Sequence, residues 1–217
     1  AEAASWELAY KENGVNKVYV DSSSIVENDI YISFWIKKEN EDPFKNKGVK
    51  TYFSLAKIDE ESFTTVVGKT ISYLENGNIV NGGSKEESPF NYASILAYCF
   101  AKAEYIQLEK KVWVDASNVV FNDKSFKTYV SSPFLFKGYI YFFNKSEAED
   151  GDTVYQLYKY DKQNNVACQV WSIFLNKNER KTILPIYKGG KEITPGPNSP
   201  LMKSIERAKS KLKEQSV

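Results

Sequence analysis

Apolar and polar residues alternate with a two-residue period through much of the chain, the spacing of strands that bury one face of a sheet. Val18 to Val20, Ile30 to Ile36, Thr51 to Ile58 and Phe63 to Tyr73 carry it in the first half; Tyr139 to Phe143, Val154 to Tyr160 and Val166 to Leu175 carry it in the second. All are short and rich in β-branched and aromatic residues. The turn strings between them, such as Glu75-Asn76-Gly77-Asn78 and Lys188-Gly189-Gly190, predict antiparallel strands.

Two segments break this period and read as helices, each placed after a run of strands and each led by a Ser-Pro pair, Ser88-Pro89 and Ser199-Pro200. Serine is a good N-cap, and proline at the first helical position loses no bond because that N–H is unpaired anyway. The first helix, with Phe90, Ile95, Leu96, Cys99 and Phe100, is apolar nearly all round, which predicts burial at the seam of two units. The second has one stripe, Leu201, Met202, Ile205, Ala208 and Leu212, and a wet outer face carrying Lys203, Arg207, Lys209, Lys211 and Lys213.

The halves also resemble each other. Lys17 to Asp29 aligns without a gap on Lys111 to Asp123, sharing Lys, Val, Val, Asp, Ser, Val, Asn and Asp at equal spacing. Tyr31 to Lys37 then resembles Tyr139 to Lys145, an acidic loop follows each, and Leu55, Lys57 and Asp59 match Leu157, Lys159 and Asp161. The expectation is an α+β chain of two tandem units, each an antiparallel sheet with a C-terminal helix on one face. The units span 1–103 and 104–217, the second with an insert near 124–137.

Composition narrows the function. Among 217 residues, 29 Lys and Arg stand against 28 Asp and Glu, so no broad field exists to recruit nucleic acid or an anionic membrane. The longest apolar run, Tyr92 to Ala101, is about half a membrane span. The start at Ala1-Glu2-Ala3-Ala4 is read as a mature form after signal-peptide removal, hence secreted, surface or periplasmic.

With no His in the chain, imidazole-based triads, His-ligated zinc and imidazole proton shuttles are ruled out. Ser54 and Lys57 have the spacing of a Lys-activated serine but sit in a predicted strand, on opposite faces. Asp21 and Asp115, equivalent by the alignment, could form a carboxylate pair only in one shared cleft; an Asp before a Ser turn more simply fixes that turn. Glu39 to Asp42 and Glu147 to Asp152 lack the spacing of a calcium loop, and Asn144-Lys145-Ser146 is assigned no role. No catalytic residue, cofactor or metal set is expected. Binding remains, with Phe134, Leu135, Phe136 and Tyr139 as the candidate apolar loop.

The run Asp21-Ser22-Ser23-Ser24-Ile25, the early Trp6, a Cys-bearing strand, the segment Ile193-Thr194-Pro195-Gly196 and the closing helix together resemble the bacterial surface-adhesin protein E family. The resemblance implies a six-stranded antiparallel sheet with a C-terminal helix held on its concave face by a disulfide, and an exported binding protein that contacts host matrix proteins. The alternatives are an envelope scaffold or a carrier of a small hydrophobic ligand between helix and sheet. That family pairs a strand Cys with a helix Cys inside one unit. Here Cys99 lies in the first helix and Cys168 in a strand of the second half, so either they bridge or both remain buried thiols. A bridge over so long a loop would contribute about 4 kcal/mol in the chain-entropy model.

Overall fold

The computed structural model describes residues 3–12, 16–43, 47–83, 86–91, 93–176 and 187–215. The chain divides into two compact units, Ala1–Gln107 and Leu108–Val217. Among the described residues the fold is α+β: two antiparallel sheets and two helices.

The first unit begins with β1 (Trp6–Glu12) and β2 (Asn16–Asp21), then a single 3-10 turn over Ser22–Ser24, then β3 (Val26–Asn28), β4 (Tyr31–Asn40), β5 (Val49–Asp59), β6 (Thr64–Leu74) and β7 (Ile79–Gly82). These lie in the order β1-β2-β4-β5-β6-β7, with β3 continuing the pairing on β4 beyond β2. Asp21 builds the 3-10 turn: its Oδ1 accepts from the Ser23 N–H at 3.0 Å, the Ser23 hydroxyl at 2.7 Å and the Ser5 N–H at 2.9 Å. Val18, Val20, Ile32, Phe34, Ala56 and Ile58 form the dry face. On the alternate residues, the Lys37 ammonium lies 5.0 Å from the centre of the Trp6 ring and 4.7 Å from that of Tyr19, and reaches Glu39 at 3.4 Å. Trp6 in turn leans on Phe53 at 5.6 Å.

Ser88 and Pro89 do not open a helix. They form β8 (Ser88–Pro89), paired with Thr65 and Thr64 at the edge of β6, where a missing proline N–H is tolerated. Helix α1 (Ile95–Glu109) starts later, because Phe90 is pinned among Phe63 and Phe100 and Asn91 caps a turn to the Ala93 N–H. Its residues from Ile95 to Leu108 are buried or half-buried all round, as the sequence predicts.

The second unit is a plain meander: β9 (Val114–Phe121), β10 (Lys124–Phe136), β11 (Tyr139–Ala148), β12 (Thr153–Asp161), β13 (Val166–Leu175) and β14 (Tyr187–Lys188), each beside the next. The segment near 124–137, read from sequence as an insert with an apolar loop, is instead strand β10, paired on both sides. Its alternation is hidden by a kink at Ser131 to Phe134, where register shifts and Ser132 takes a φ of 49°. Lys111 to Asp123 leads into and covers β9, the first strand of its sheet, whereas Lys17 to Asp29 runs through β2 and β3.

Rings and lysines recur on one face here too. Lys145 lies 4.9 Å from the Trp113 ring and 4.8 Å from that of Tyr129, with Glu147 at 3.9 Å, and Trp113 leans on Tyr155 at 5.9 Å. Helix α2 (Pro200–Gln215) covers the opposite face. Ser199 caps it, accepting from the Met202 N–H at 3.1 Å, and Ile205 and Ala208 enter a core with Val130, Ile140, Phe142, Tyr160 and Ala167.

Cutting Ile205 to Ala removes the centre of that stripe and should cost about 2–5 kcal/mol. The exposed Lys203→Ala should stay within about 0.5 kcal/mol. Urea midpoints of the full chain test the pair; equal midpoints would contradict the seating of α2 on this core.

Candidate binding cleft

The apolar stripe of α2 begins with Leu201 and Met202, which pack against the core, but is interrupted before Ile205. One turn in, Ser204 faces the sheet, is almost wholly buried, and donates to Asn144 Oδ1 at 2.9 Å. Above it the chain arrives through Ile193-Thr194-Pro195-Gly196, held to the sheet by a reciprocal backbone pair between Ile193 and Ala167 at 2.7 and 2.8 Å. Two prolines flank Gly196 and stiffen this approach, and Pro195 is buried. Strand and helix are thereby held apart at this end, leaving a cleft of about 420 Å³.

Polar side chains from three adjacent strands make its floor. Asn144 of β11 is buried and donates through Nδ2 to Gln156 Oε1 of β12 at 3.0 Å; Gln156 Nε2 donates to Gln169 Oε1 of β13 at 2.7 Å. From Ser204 the donors therefore point one way across the sheet, through three amides. Thr128 and Ser146 add hydroxyls, and Thr128 is tied to Ser117 at 2.6 Å. Tyr158, Leu201, Ile193 and Pro195 supply apolar wall. Burial pushes the Tyr158 phenol above its usual pKa, against a smaller downward pull from Gln156, so it stays neutral. Among the described residues no Asp, Glu, Lys or Arg lines the cleft.

The residues singled out from the sequence lie elsewhere. Phe134, Leu135, Phe136 and Tyr139 flank the Lys137-Gly138 turn between β10 and β11. Phe134 stacks on Tyr141 at 5.1 Å and 5°, Phe136 meets the same ring edge-on at 6.3 Å, and Lys159 covers Tyr139 at 4.7 Å. Only Leu135, 65% exposed, projects freely. Ser54 and Lys57 occupy one strand, with Ser54 on the buried face and Lys57 over the Tyr31 ring. Asp21 is consumed by its turn, and Asp115 stands exposed on β9 opposite Tyr129. Asn144, in the glycosylation string, is closed to modification by burial and its amide bonds. The acidic loop before β12 is tied by Lys124 to Asp150 at 2.8 Å and Asp152 at 3.6 Å, and no metal-holding cluster occurs among the described residues.

The cysteines are both free. Cys99 is fully buried in α1, and desolvation pushes its thiol up to about 12. Cys168 is half-buried, its sulfur 3.6 Å from the Gly190 carbonyl. The cleft was not found from sequence because Asn144, Gln156 and Ser204 are ordinary polar positions until α2 and the strands converge on them.

No family model, curated protein or solved structure matches the chain.

Thiol chemistry gives a direct check. Denatured, unreduced protein should yield two reactive thiols; in the native state only Cys168 should react near neutral pH, since Cys99 is both inaccessible and held protonated. No thiol after denaturation would mean that the two are bridged.

Proposed function

We propose that this chain is a non-catalytic binding protein of exported type, and that its ligand seat is the cleft beneath the first turn of α2. The observation that carries the reading is the cleft itself: a site of small-molecule size whose polar side chains converge from four elements and whose walls are apolar. Its groups are suited to holding a molecule. None is a nucleophile beside a base, and the Tyr158 phenol keeps its proton.

We also propose that the two units descend from one module, in a register different from the ungapped alignment. Trp6, Tyr19, Lys37, Glu39 and Phe53 answer to Trp113, Tyr129, Lys145, Glu147 and Tyr155, because each set makes the same ring, ammonium and carboxylate contacts on its own sheet. In this register β10 answers to β2 and β3 run together, with the Ser131 to Phe134 kink in place of the Asp21 turn. The six strands and closing helix of the second unit suit the architecture that the adhesin resemblance implies.

A protein partner, such as a host matrix protein or another envelope protein, is the second reading. It is favoured by the stripe Trp6, Phe53, Tyr73 and Ile79 on the first sheet, where Tyr73 is 40% and Ile79 56% exposed.

Thr194 lines the cleft from its exposed rim, so Thr194→Trp should fill it without disturbing the core. Thermal shifts across a small-molecule set should show ligands that raise Tm of the wild type by several degrees and leave T194W unmoved. Equal shifts in both, or none, would contradict the cleft. Capture on immobilised laminin that is lost in Tyr73→Ser but kept in T194W would instead favour the protein-partner reading.

A further inference from the structure

The chemistry of the cleft narrows what it can hold, granted that it is the ligand seat. We infer that its ligand is a small neutral molecule rich in hydroxyl or amide groups, of the saccharide or cyclic polyol class, read by the relay from Ser204 through Asn144 and Gln156 to Gln169.

Charge is the first constraint. A carboxylate or ammonium settling on the floor would give up part of its water and meet no opposite charge among the described lining side chains, so nothing there replaces the water it loses. Hydrogen bonding is the second. Asn144 spends its Nδ2 donors on Gln156 and, at 3.5 Å, on Ser146, and Gln156 donates to Gln169 and meets Tyr158, so the amides offer mainly lone pairs. The Ser199 hydroxyl donates to the Gly196 carbonyl, while those of Ser146 and Thr194 can both give and accept. A ligand with several closely spaced hydroxyl or amide N–H donors matches those lone pairs; a hydrocarbon would use none of them. This departs from a hydrophobic cargo. Shape is the third. The cleft opens over β10, β11 and β12, interior strands whose backbones are paired on both sides. No free strand edge is offered to an extended peptide, which would need one. Tyr158 and Leu201 provide the apolar surface against which the C–H side of a ring would lie.

Calorimetry on the full chain tests the inference with four probes: N-acetylglucosamine (neutral, hydroxyls and amide), glucosamine (cationic), glucuronate (anionic) and cyclohexane-methanol (largely apolar). N-acetylglucosamine should bind at least tenfold more tightly than the other three. Gln156→Leu, which cuts the relay, should weaken it tenfold or more, and T194W should abolish it. If a charged or apolar probe binds as well or better and T194W abolishes that binding, the cleft is a ligand seat but the inferred class is overturned. If no probe binds, or T194W binds as the wild type does, the inference falls together with the reading beneath it.

Discussion

The second unit depends on the one polar break in the apolar stripe of α2, which otherwise runs from Leu201 and Met202 to Leu212. Ile205 and Ala208 are dry against Val130, Ile140 and Phe142, but one residue earlier Ser204 takes a hydrogen bond to Asn144 instead of a packing contact. A leucine at 204 would close the gap in the stripe, at the cost of an unpaired Asn144 carbonyl. With serine there, the helix is anchored by apolar burial along its length and by a polar contact at its start. The space between the incoming Pro195-Gly196 segment and the sheet remains open as a result.

The two-residue period of the strands explains the rest. Each sheet sets alternate residues on opposite faces. In the first, Val18, Val20, Ile32, Phe34, Ala56 and Ile58 lie on one and Trp6, Tyr19, Lys37 and Phe53 on the other. In the second, the face away from α2 carries Lys145, Tyr129 and Tyr155 beside the buried Phe143, Leu157, Trp171 and Ile173. A long amine laid across two rings keeps its charge near water while its methylenes shield aromatic surface, so a partly exposed ring face stays compatible with solution. Lys37 and Lys145 do this in their own sheets with a neighbouring glutamate two residues on, the natural spacing for side chains on one face of a strand. That shared constellation is what the proposal of a common origin rests on, since it draws on four strands of the first sheet and on three strands, with Trp113 just ahead of β9, in the second.

Much of this was readable in advance. Clean alternation marked β4, β5, β6, β11, β12 and β13, and the Ser199-Pro200 start of α2 rests on capping chemistry that acts locally. Other elements were not readable. The pair Ser88-Pro89 has the same local chemistry, yet tertiary contacts of Phe90 with Phe63 and Phe100 place it on a sheet edge. Strand β10 looked like an insert because its kink reverses the inside-outside order midway, so neither half is long enough to declare a strand. The short strands β3, β7 and β14 carry too few alternations to stand out, and the pairing of β1 is broken by a bulge between Leu8 and Tyr10. The cleft was the least legible part, because its residues lie up to 76 positions apart, from Thr128 to Ser204, and only the meander and α2 bring them together.

The most direct measurement of the central claim is nuclear magnetic resonance of the side-chain amides during titration with a neutral saccharide. The NH2 signals of Asn144 and Gln156 should shift together and saturably, along with backbone signals of Thr194, Gly196 and Leu201, while those of Asn118 and Asn164 hold still. Saturable shifts confined to residues outside the cleft, or amide signals that never move, would contradict it.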